Sequence, residues 1–361
     1  MQNLATRKVF LACVILGFGF TCYILFFNGE LRRWTTLGSR ITSWTENCVS
    51  SITGKDLRAG NDTVNSASDV RSVVISGNKP LQLCPEKPPI AETKVPLNLT
   101  NVTYADLKRE FGHVLRPGGH YAPITCKSRE RIALIIPYRN RERNLFILLH
   151  NLIPFLMRQQ AEFAVYVVEQ TQDYMFDKGV LIDVGFVKAR QDGDFSCFIV
   201  HDTDLIPRDY RNVYRCSDKP RHLMLNRSGE QRKKPEKLPY SAFIGGAIAL
   251  TKEQFEKSNG WSTAYYGWGF EDDDMEIRLK SHGFRIVRYP IEIGDYYELG
   301  HTPQKPGPRS KLARSVKTRM NSEGLNTLNY TLVKQEKREI YNWYLVKPPP
   351  PPPEIYGNNT R

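Results

Sequence analysis

The sequence has no Cys-x-x-Cys pair and no internal repeat, and its basic residues are dispersed apart from Arg232-Lys233-Lys234. The first absence removes the spacing of a structural zinc site. The second argues against a modular cation-binding adhesion array. The third weighs against nucleic acid as a partner. A net charge of +13, from 51 Lys and Arg against 38 Asp and Glu, is spread rather than gathered into a footprint. Such a surface suits an anionic donor or membrane headgroups instead.

Charge is also missing from Val9 to Phe27, a run of mostly apolar residues. As a helix this run would be about 28 Å long, close to the bilayer core. A cleaved signal peptide has a shorter apolar core ending at small residues. Arg7 and Lys8 precede the run, while Arg32 and Arg33 follow it, so the charge asymmetry is weak. The expectation is a type II signal-anchor: residues 1–8 a cytoplasmic tail, 9–27 a transmembrane helix, 28–82 a polar, Ser/Thr/Gly/Asn-rich stem. A lumenal domain over 83–346 and a proline-rich tail over 347–361 complete the chain. Six Asn-x-Ser/Thr triplets, at Asn61, Asn98, Asn101, Asn226, Asn329 and Asn358, agree with a secretory route. Of seven cysteines, Cys13 and Cys22 lie in the apolar run. Cys84, Cys126, Cys197 and Cys216 could form two bridges in an oxidising lumen, leaving Cys48 in the stem.

Short apolar runs at 132–136, 163–168 and 197–200 alternate with helical patterns at 145–157 and 180–189. Strand, helix, strand, helix, strand predicts a buried parallel sheet. Ligands of such sheets bind beyond the carboxyl ends of the strands. Those ends carry Tyr138-Arg139, Glu169-Gln170 and Asp202-Thr203-Asp204. Two carboxylates two apart can chelate a divalent cation and its diphosphate, although Asp-x-Asp also occurs in ordinary turns. Arg139 and Arg141 could neutralise phosphate, or be solvated. A loop is expected over 216–239, strands over 243–250, 284–289, 330–333 and 340–346, and a polyproline II tail over 348–353.

The stretch Tyr265-Tyr266-Gly267-Trp268-Gly269-Phe270-Glu271-Asp272-Asp273-Asp274 sets four adjacent carboxylates after an aromatic, glycine-rich run. Four like charges repel, so burying them brings no structural gain. They could be no more than the solvated first turn of a helix, favoured by its dipole. As a ligand site, Gly267 and Gly269 admit close backbone approach and Trp268 offers a flat apolar face.

Taken in order, these pieces resemble the β-1,4-galactosyltransferase family from Cys84 to about Leu332. The matching motifs are Cys84-Pro85-Glu86, Arg116-Pro117-Gly118-Gly119-His120-Tyr121, Ile136-Pro137-Tyr138-Arg139-Asn140-Arg141, Asp202-Thr203-Asp204-Leu205-Ile206-Pro207, Pro220-Arg221-His222, Gly245-Gly246, Tyr266 to Asp274 and Glu323-Gly324-Leu325-Asn326. The resemblance implies an α/β GT-A fold with a Rossmann-like mixed sheet. It implies inverting transfer from a UDP-sugar to the 4-hydroxyl of a terminal glucose or GlcNAc on a glycoprotein or glycolipid, at the Golgi membrane. By this similarity Asp272 is the catalytic base. Pro137, Tyr138, Arg139, Arg141, Phe176, Asp202, Gly246, Trp268 and Glu271 would bind the donor, Trp268 on a loop that closes over it. Tyr240, Phe243, Tyr265 and Asp273 would line the acceptor and sugar pocket. Asp204 and His301 would hold Mn²⁺, and Glu298 stands by spacing where the family often has Met, a harder ligand that could admit Mg²⁺. The bridges implied are Cys84–Cys126 and Cys197–Cys216.

The sequence departs from the family at Phe270, usually Gly, at Thr203, commonly Val, and at Asp177-Lys178, commonly Asn-Arg near the uracil. Phe243 keeps the bulk seen in members that use UDP-galactose, whereas members that use UDP-GalNAc have a smaller residue there. Galactose is therefore the expected sugar, GalNAc the alternative. A non-catalytic, membrane-anchored sugar-binding protein on the same fold is the reading from another class.

Overall fold

A computed structural model describes residues 80–357 and, nearer the N-terminus, the backbone of 9–16 and 19–26. The chain divides into two units, Met1–Gly77 and Asn78–Arg361. Most of the expected stem, with Cys48, lies outside the described residues.

The apolar run is not one helix in the structure. Strands β1 (Val9–Leu16) and β2 (Gly19–Phe26) pair antiparallel, with Cys13 opposite Cys22. The run is rich in β-branched and aromatic residues and carries Gly17 and Gly19 near its middle, a composition that favours strand over helix. Among the described residues no helix is long and apolar enough to cross a membrane.

The second unit begins with α1 (Tyr104–Phe111), β3 (Arg131–Tyr138), α2 (Glu142–Arg158), β4 (Glu162–Gln170), α3 (Lys178–Asp192), β5 (Cys197–His201) and β6 (Leu205–Pro207). Short strands β7 (Arg221–His222), β8 (Asn226–Gly229) and β9 (Glu236–Lys237) lead to β10 (Ala247–Thr251), α4 (Lys252–Lys257) and α5 (Glu271–Ser281). The chain continues through β11 (Val287–Arg288), β12 (Asp295–Glu298), α6 (Arg309–Arg314), α7 (Val316–Arg319), β13 (Thr331–Lys337), β14 (Asn342–Lys347) and α8 (Pro353–Tyr356).

Eight strands form a mixed sheet in the order β11-β7-β10-β5-β3-β4-β14-β13. Its centre is parallel: β3 pairs with β4 and β5, and β14 with β4. Strand β10 runs antiparallel to β5. A second, four-stranded sheet has the order β6-β12-β8-β9.

The centre of the large sheet is apolar on both faces because each face carries a helix. Ile132, Leu134 and Ile136 of β3 join the core with Leu145, Leu148, Leu149 and Leu152 of α2. The alternate residues Ala133 and Ile135 join Ile182 and Phe186 of α3. That alternation is the period-two pleat of a strand. Helix α3 lies so close that a Cβ at Gly185 would stand 2.4 Å from Ile135 Cγ2. The disulfides Cys84–Cys126 and Cys197–Cys216 are both formed.

Four expectations change. The 216–239 stretch is not only loop, since β7, β8 and β9 fall within it. The strand expected at 243–250 starts only at Ala247, because 243–246 turns past the carboxyl end of β5. The strand expected at 284–289 shrinks to Val287–Arg288. The proline run also does more than extend: it ends in the single turn α8, with Pro351 and Tyr356 buried.

Candidate active site

The site forms where β3, β5 and β10 reach the loops on one side of the sheet. Strand β3 ends at Pro137 and Tyr138, and Arg139 and Arg141 follow. Arg139 Nη1 donates to the Tyr174 carbonyl at 2.7 Å, and its guanidinium stands 5.3 Å from the Phe176 ring centroid. These groups make one wall, a cation beside an aromatic face.

Beyond β5 lies Asp204. Its Oδ2 is 2.7 Å from His301 Nδ1 and 3.5 Å from Arg141 Nη1. The imidazole nitrogen is buried against that carboxylate, at ion-pair distance. A carboxylate oxygen and an imidazole nitrogen brought this close together are a donor set that fits a borderline-hard divalent cation. Burial works against the Asp204 charge, but His301 and Arg141 hold its carboxyl below the usual range. Glu298 does not belong to this pair. Its oxygens lie 3.1 Å from Arg227 Nη1 and 2.7 Å from Arg232 Nε. Pairing of β12 with β8 at Glu298–Gly229 brings those arginines to it, so both of its oxygens are engaged in this structure.

The acidic stretch opens α5, as its dipole favours. Phe270 precedes the helix at φ 82°, a left-handed conformation costly for an aromatic residue, and its side chain makes no cap. Asp272 Oδ2 accepts from Lys178 Nζ at 2.9 Å and Oδ1 from Trp261 Nε1 at 3.3 Å. The same ammonium lies 3.0 Å from Asp202 Oδ1 and 3.7 Å from Glu271 Oε1. Burial disfavours that charge, yet Asp202, Asp272 and Glu271 together raise the Lys178 pKa well above its ordinary value. Glu271 is buried beside Asp272, which pushes its pKa up to about 7, and its Oε2 has no hydrogen-bond partner among the described residues. Of the Asp177-Lys178 pair, Asp177 caps α3 by accepting from Val180 N at 3.0 Å, and Lys178 turns to the carboxylates.

Phe243 stands beside this centre. A Cβ at Gly245 would lie 2.7 Å from both Asp272 Oδ2 and Phe243 Cζ, so only glycine leaves space between ring and carboxylate. Gly246, at φ 91°, is enclosed by Leu205 and Met224 and gives its carbonyl to Asp202 N at 2.8 Å. Tyr240 Oη donates to Asp273 Oδ1 at 2.6 Å, and its ring meets Phe243 edge-on. Trp268 is 59 % exposed, with Arg309 5.1 Å from its ring centroid. Tyr265 is different. It is 2 % exposed, and its hydroxyl is engaged by Asp274 at 3.0 Å and Arg319 at 2.9 Å, so it supports the site from behind rather than lining it.

Asp274 corrects the view that burial of these carboxylates gains nothing. It is fully buried and pairs with Arg278, one turn on, and with Arg319. Arg278 Nη2 also reaches Glu323 Oε2 at 2.8 Å, which gives the Glu323-Gly324 motif a structural task. The sequence reading passed over Lys178 as a partner of Asp272, along with Trp261 and Arg319. The one available signal was the Asp177-Lys178 departure itself.

Two family models match this chain: the N-terminal region of glycosyl transferase group 7 over residues 84–217, and the N-terminal domain of galactosyltransferase over 227–302. Beta-1,4-galactosyltransferase 4 of Rattus norvegicus is 39% identical over 227 residues, 62% of this chain and 65% of that protein. This chain therefore spans just under two thirds of that relative. Beta-1,4-galactosyltransferase 6 of Homo sapiens is 36% identical over 302 residues, 82% of this chain and 78% of that one. The catalytic domain of Drosophila beta1,4-galactosyltransferase 7, solved with xylobiose, superposes with a TM-score of 0.51 at 23% identity, covering 60% of this chain and 93% of that one. That likeness bears on the fold, a mixed α/β sheet of the GT-A kind. On the family models and the shared sequence, the chain belongs to the β-1,4-galactosyltransferase family.

Proposed function

We propose that this chain is a metal-dependent, inverting glycosyltransferase that moves galactose from UDP-galactose to the 4-hydroxyl of a terminal GlcNAc or glucose. The observation that carries the proposal is the junction at Lys178. It joins Asp202, beside the Asp204–His301 pair, to Asp272 at the head of α5. Donor phosphate would lie against Arg139 and Arg141, with the uracil toward Phe176. Pro137, Tyr138 and Gly246 would lie along the donor as well. A divalent cation such as Mn²⁺, held by Asp204 and His301, would neutralise charge on the leaving diphosphate.

In the reaction the acceptor oxygen bonds to the anomeric carbon as the bond to UDP breaks, and UDP leaves with the electron pair. The 4-hydroxyl proton passes to Asp272. Asp273 and Tyr240 would position the acceptor, Glu271 would touch the donor sugar, and Trp268 would close over it. Phe243, against Gly245 and Asp272, would limit the space for a 2-acetamido group. The apolar run 9–27 is proposed as a type II Golgi anchor. In hydrocarbon a two-stranded hairpin leaves its outer edges unpaired, so the bilayer favours a helix there.

The test offers UDP-galactose and UDP-GalNAc in parallel, with Mn²⁺ and a GlcNAc or glucosylceramide acceptor. We expect galactose to transfer faster, and Asp272→Asn to lose at least about 10³-fold in kcat while still binding UDP. Faster GalNAc transfer would overturn the Phe243 gate. Full activity of the Asn variant would overturn the base assignment. No transfer of either sugar would favour the non-catalytic, sugar-binding reading.

A further inference from the structure

The proline-rich tail takes no part in the site so far, yet it returns to it. After β14 the chain runs through Pro348–Pro353 and ends in α8, beside the loop that precedes the acidic helix. Tyr266 Oη donates to the Pro349 carbonyl at 2.6 Å. Tyr266 N donates to Tyr356 Oη at 2.8 Å, and that hydroxyl donates to the Ala264 carbonyl at 2.9 Å. One phenol thus bridges a donor and an acceptor on the loop backbone. The two rings meet edge-on at 5.6 Å, an arrangement aromatic pairs favour.

These contacts form a separate unit. Tyr265, Tyr266, Leu312 and Tyr356 make an apolar cluster of their own, with Phe270 against it. The loop is held on its other sides as well. Gly267 N donates to the Phe176 carbonyl at 2.8 Å and Trp268 N to the Lys305 carbonyl at 2.9 Å. At Gly307 a Cβ would stand 2.1 Å from the Tyr266 carbonyl oxygen and 3.3 Å from Tyr356 Cε1. The segment leading to Trp268, Glu271 and Asp272 is therefore clamped between the Phe176 wall, residues 305–307 and the tail. Two features point to the loop rather than to general stability: both Tyr356 hydrogen bonds go to loop backbone, and the cluster is distinct from the main cores. Trp268 lies within the segment so held.

We propose that Tyr356 is a positioning residue: the proline run is a strap, and the Tyr356 hydroxyl is the peg that sets the 264–270 loop for the sugar of the donor. The proposal rests on the reading of Trp268 as the residue that closes over that sugar. Its consequence is selective. UDP lacks the sugar and does not need the set loop, whereas UDP-galactose does.

The test uses the full chain in detergent, comparing wild type with Tyr356→Phe and Tyr356→Ala. The Phe variant keeps the ring and removes both hydrogen bonds, so it remains informative if the Ala variant fails to fold. The readouts are the affinities for UDP and UDP-galactose with Mn²⁺, from tryptophan fluorescence, and kcat and KM for the donor. For Tyr356→Phe we expect UDP affinity and melting temperature near wild type. We expect UDP-galactose affinity to fall about five- to tenfold and donor kcat/KM at least as much. Unchanged UDP-galactose affinity and kcat/KM in Tyr356→Phe would overturn the proposal, as would equal losses for UDP and UDP-galactose. If wild type transfers nothing, the proposed function fails by itself. The strap is then still judged by the ratio of UDP-galactose to UDP affinity in the two proteins.

Discussion

Lys178 is where the residue scale is most informative. It is the first residue of α3, yet it answers to Asp202, Glu271 and Asp272 together. Its partner Asp272 is 94 positions away. No local pattern announces such a contact, so the sequence offered only an altered pair beside Phe176. Removing the ammonium would leave three carboxylates facing one another in a buried setting. Breaking such a cluster costs about 3–5 kcal/mol. Lys178→Met should therefore lower the unfolding free energy, from urea titration, by an amount in that range and cut transfer by at least about tenfold. Wild-type stability in the Met variant would show that the carboxylates do not depend on this cation. Phe243 is the contrasting case. Its place two residues before Gly245 was enough to suggest a gate, and the ring does stand beside Asp272.

At the element scale, β5 and β7 each bury a histidine. His201 Nδ1 donates to the Asp202 carbonyl, which leaves Nε2 to accept from Tyr214 Oη. His222 Nε2 donates to the Gly245 carbonyl, and Arg288 Nε donates to its Nδ1. Burial pushes both pKa values down to about 4, and Arg288 adds to the effect at His222. Both rings are neutral in the fold, so a lowered pKa stabilises it only above the unfolded value of about 6.5. As pH falls from about 6.5 to about 4, each should remove stability with a slope of up to about 1.4 kcal/mol per pH unit. Urea unfolding at pH 7, 6 and 5 checks this. His222→Gln should flatten the slope by about one proton, and an unchanged slope would count against it. The strands themselves were legible, because β3, β4 and β5 are apolar on both faces. Their neighbours were not: β7 and β11 are two residues each, too short to leave a periodic pattern.

On the scale of the whole molecule, the two units rest on different physics. Residues 80–357 fold around their own cores, whereas the apolar run 9–27 is proposed to take its form from a bilayer. In a bilayer it should span as a helix, so the full chain should stay in the membrane pellet after alkaline carbonate extraction, and a chain starting at residue 80 should not. Release of the full chain would remove the anchor. The alternation of apolar strands and helices, the helix-opening carboxylates and the family motifs were all present in the sequence. Each depends on neighbours within a few positions, where pleat, helix pitch and dipole act. Tertiary structure alone decided how the four carboxylates divide their work. Asp274 is taken by Arg319, 45 positions on, Asp272 is held by Lys178, and Asp273 accepts from Tyr240. The tail likewise finds its place only through Tyr266, 90 positions before Tyr356. Charges and hydroxyls in a buried site take whichever partner the closed chain brings within about 3 Å, and that choice is made by packing across the fold.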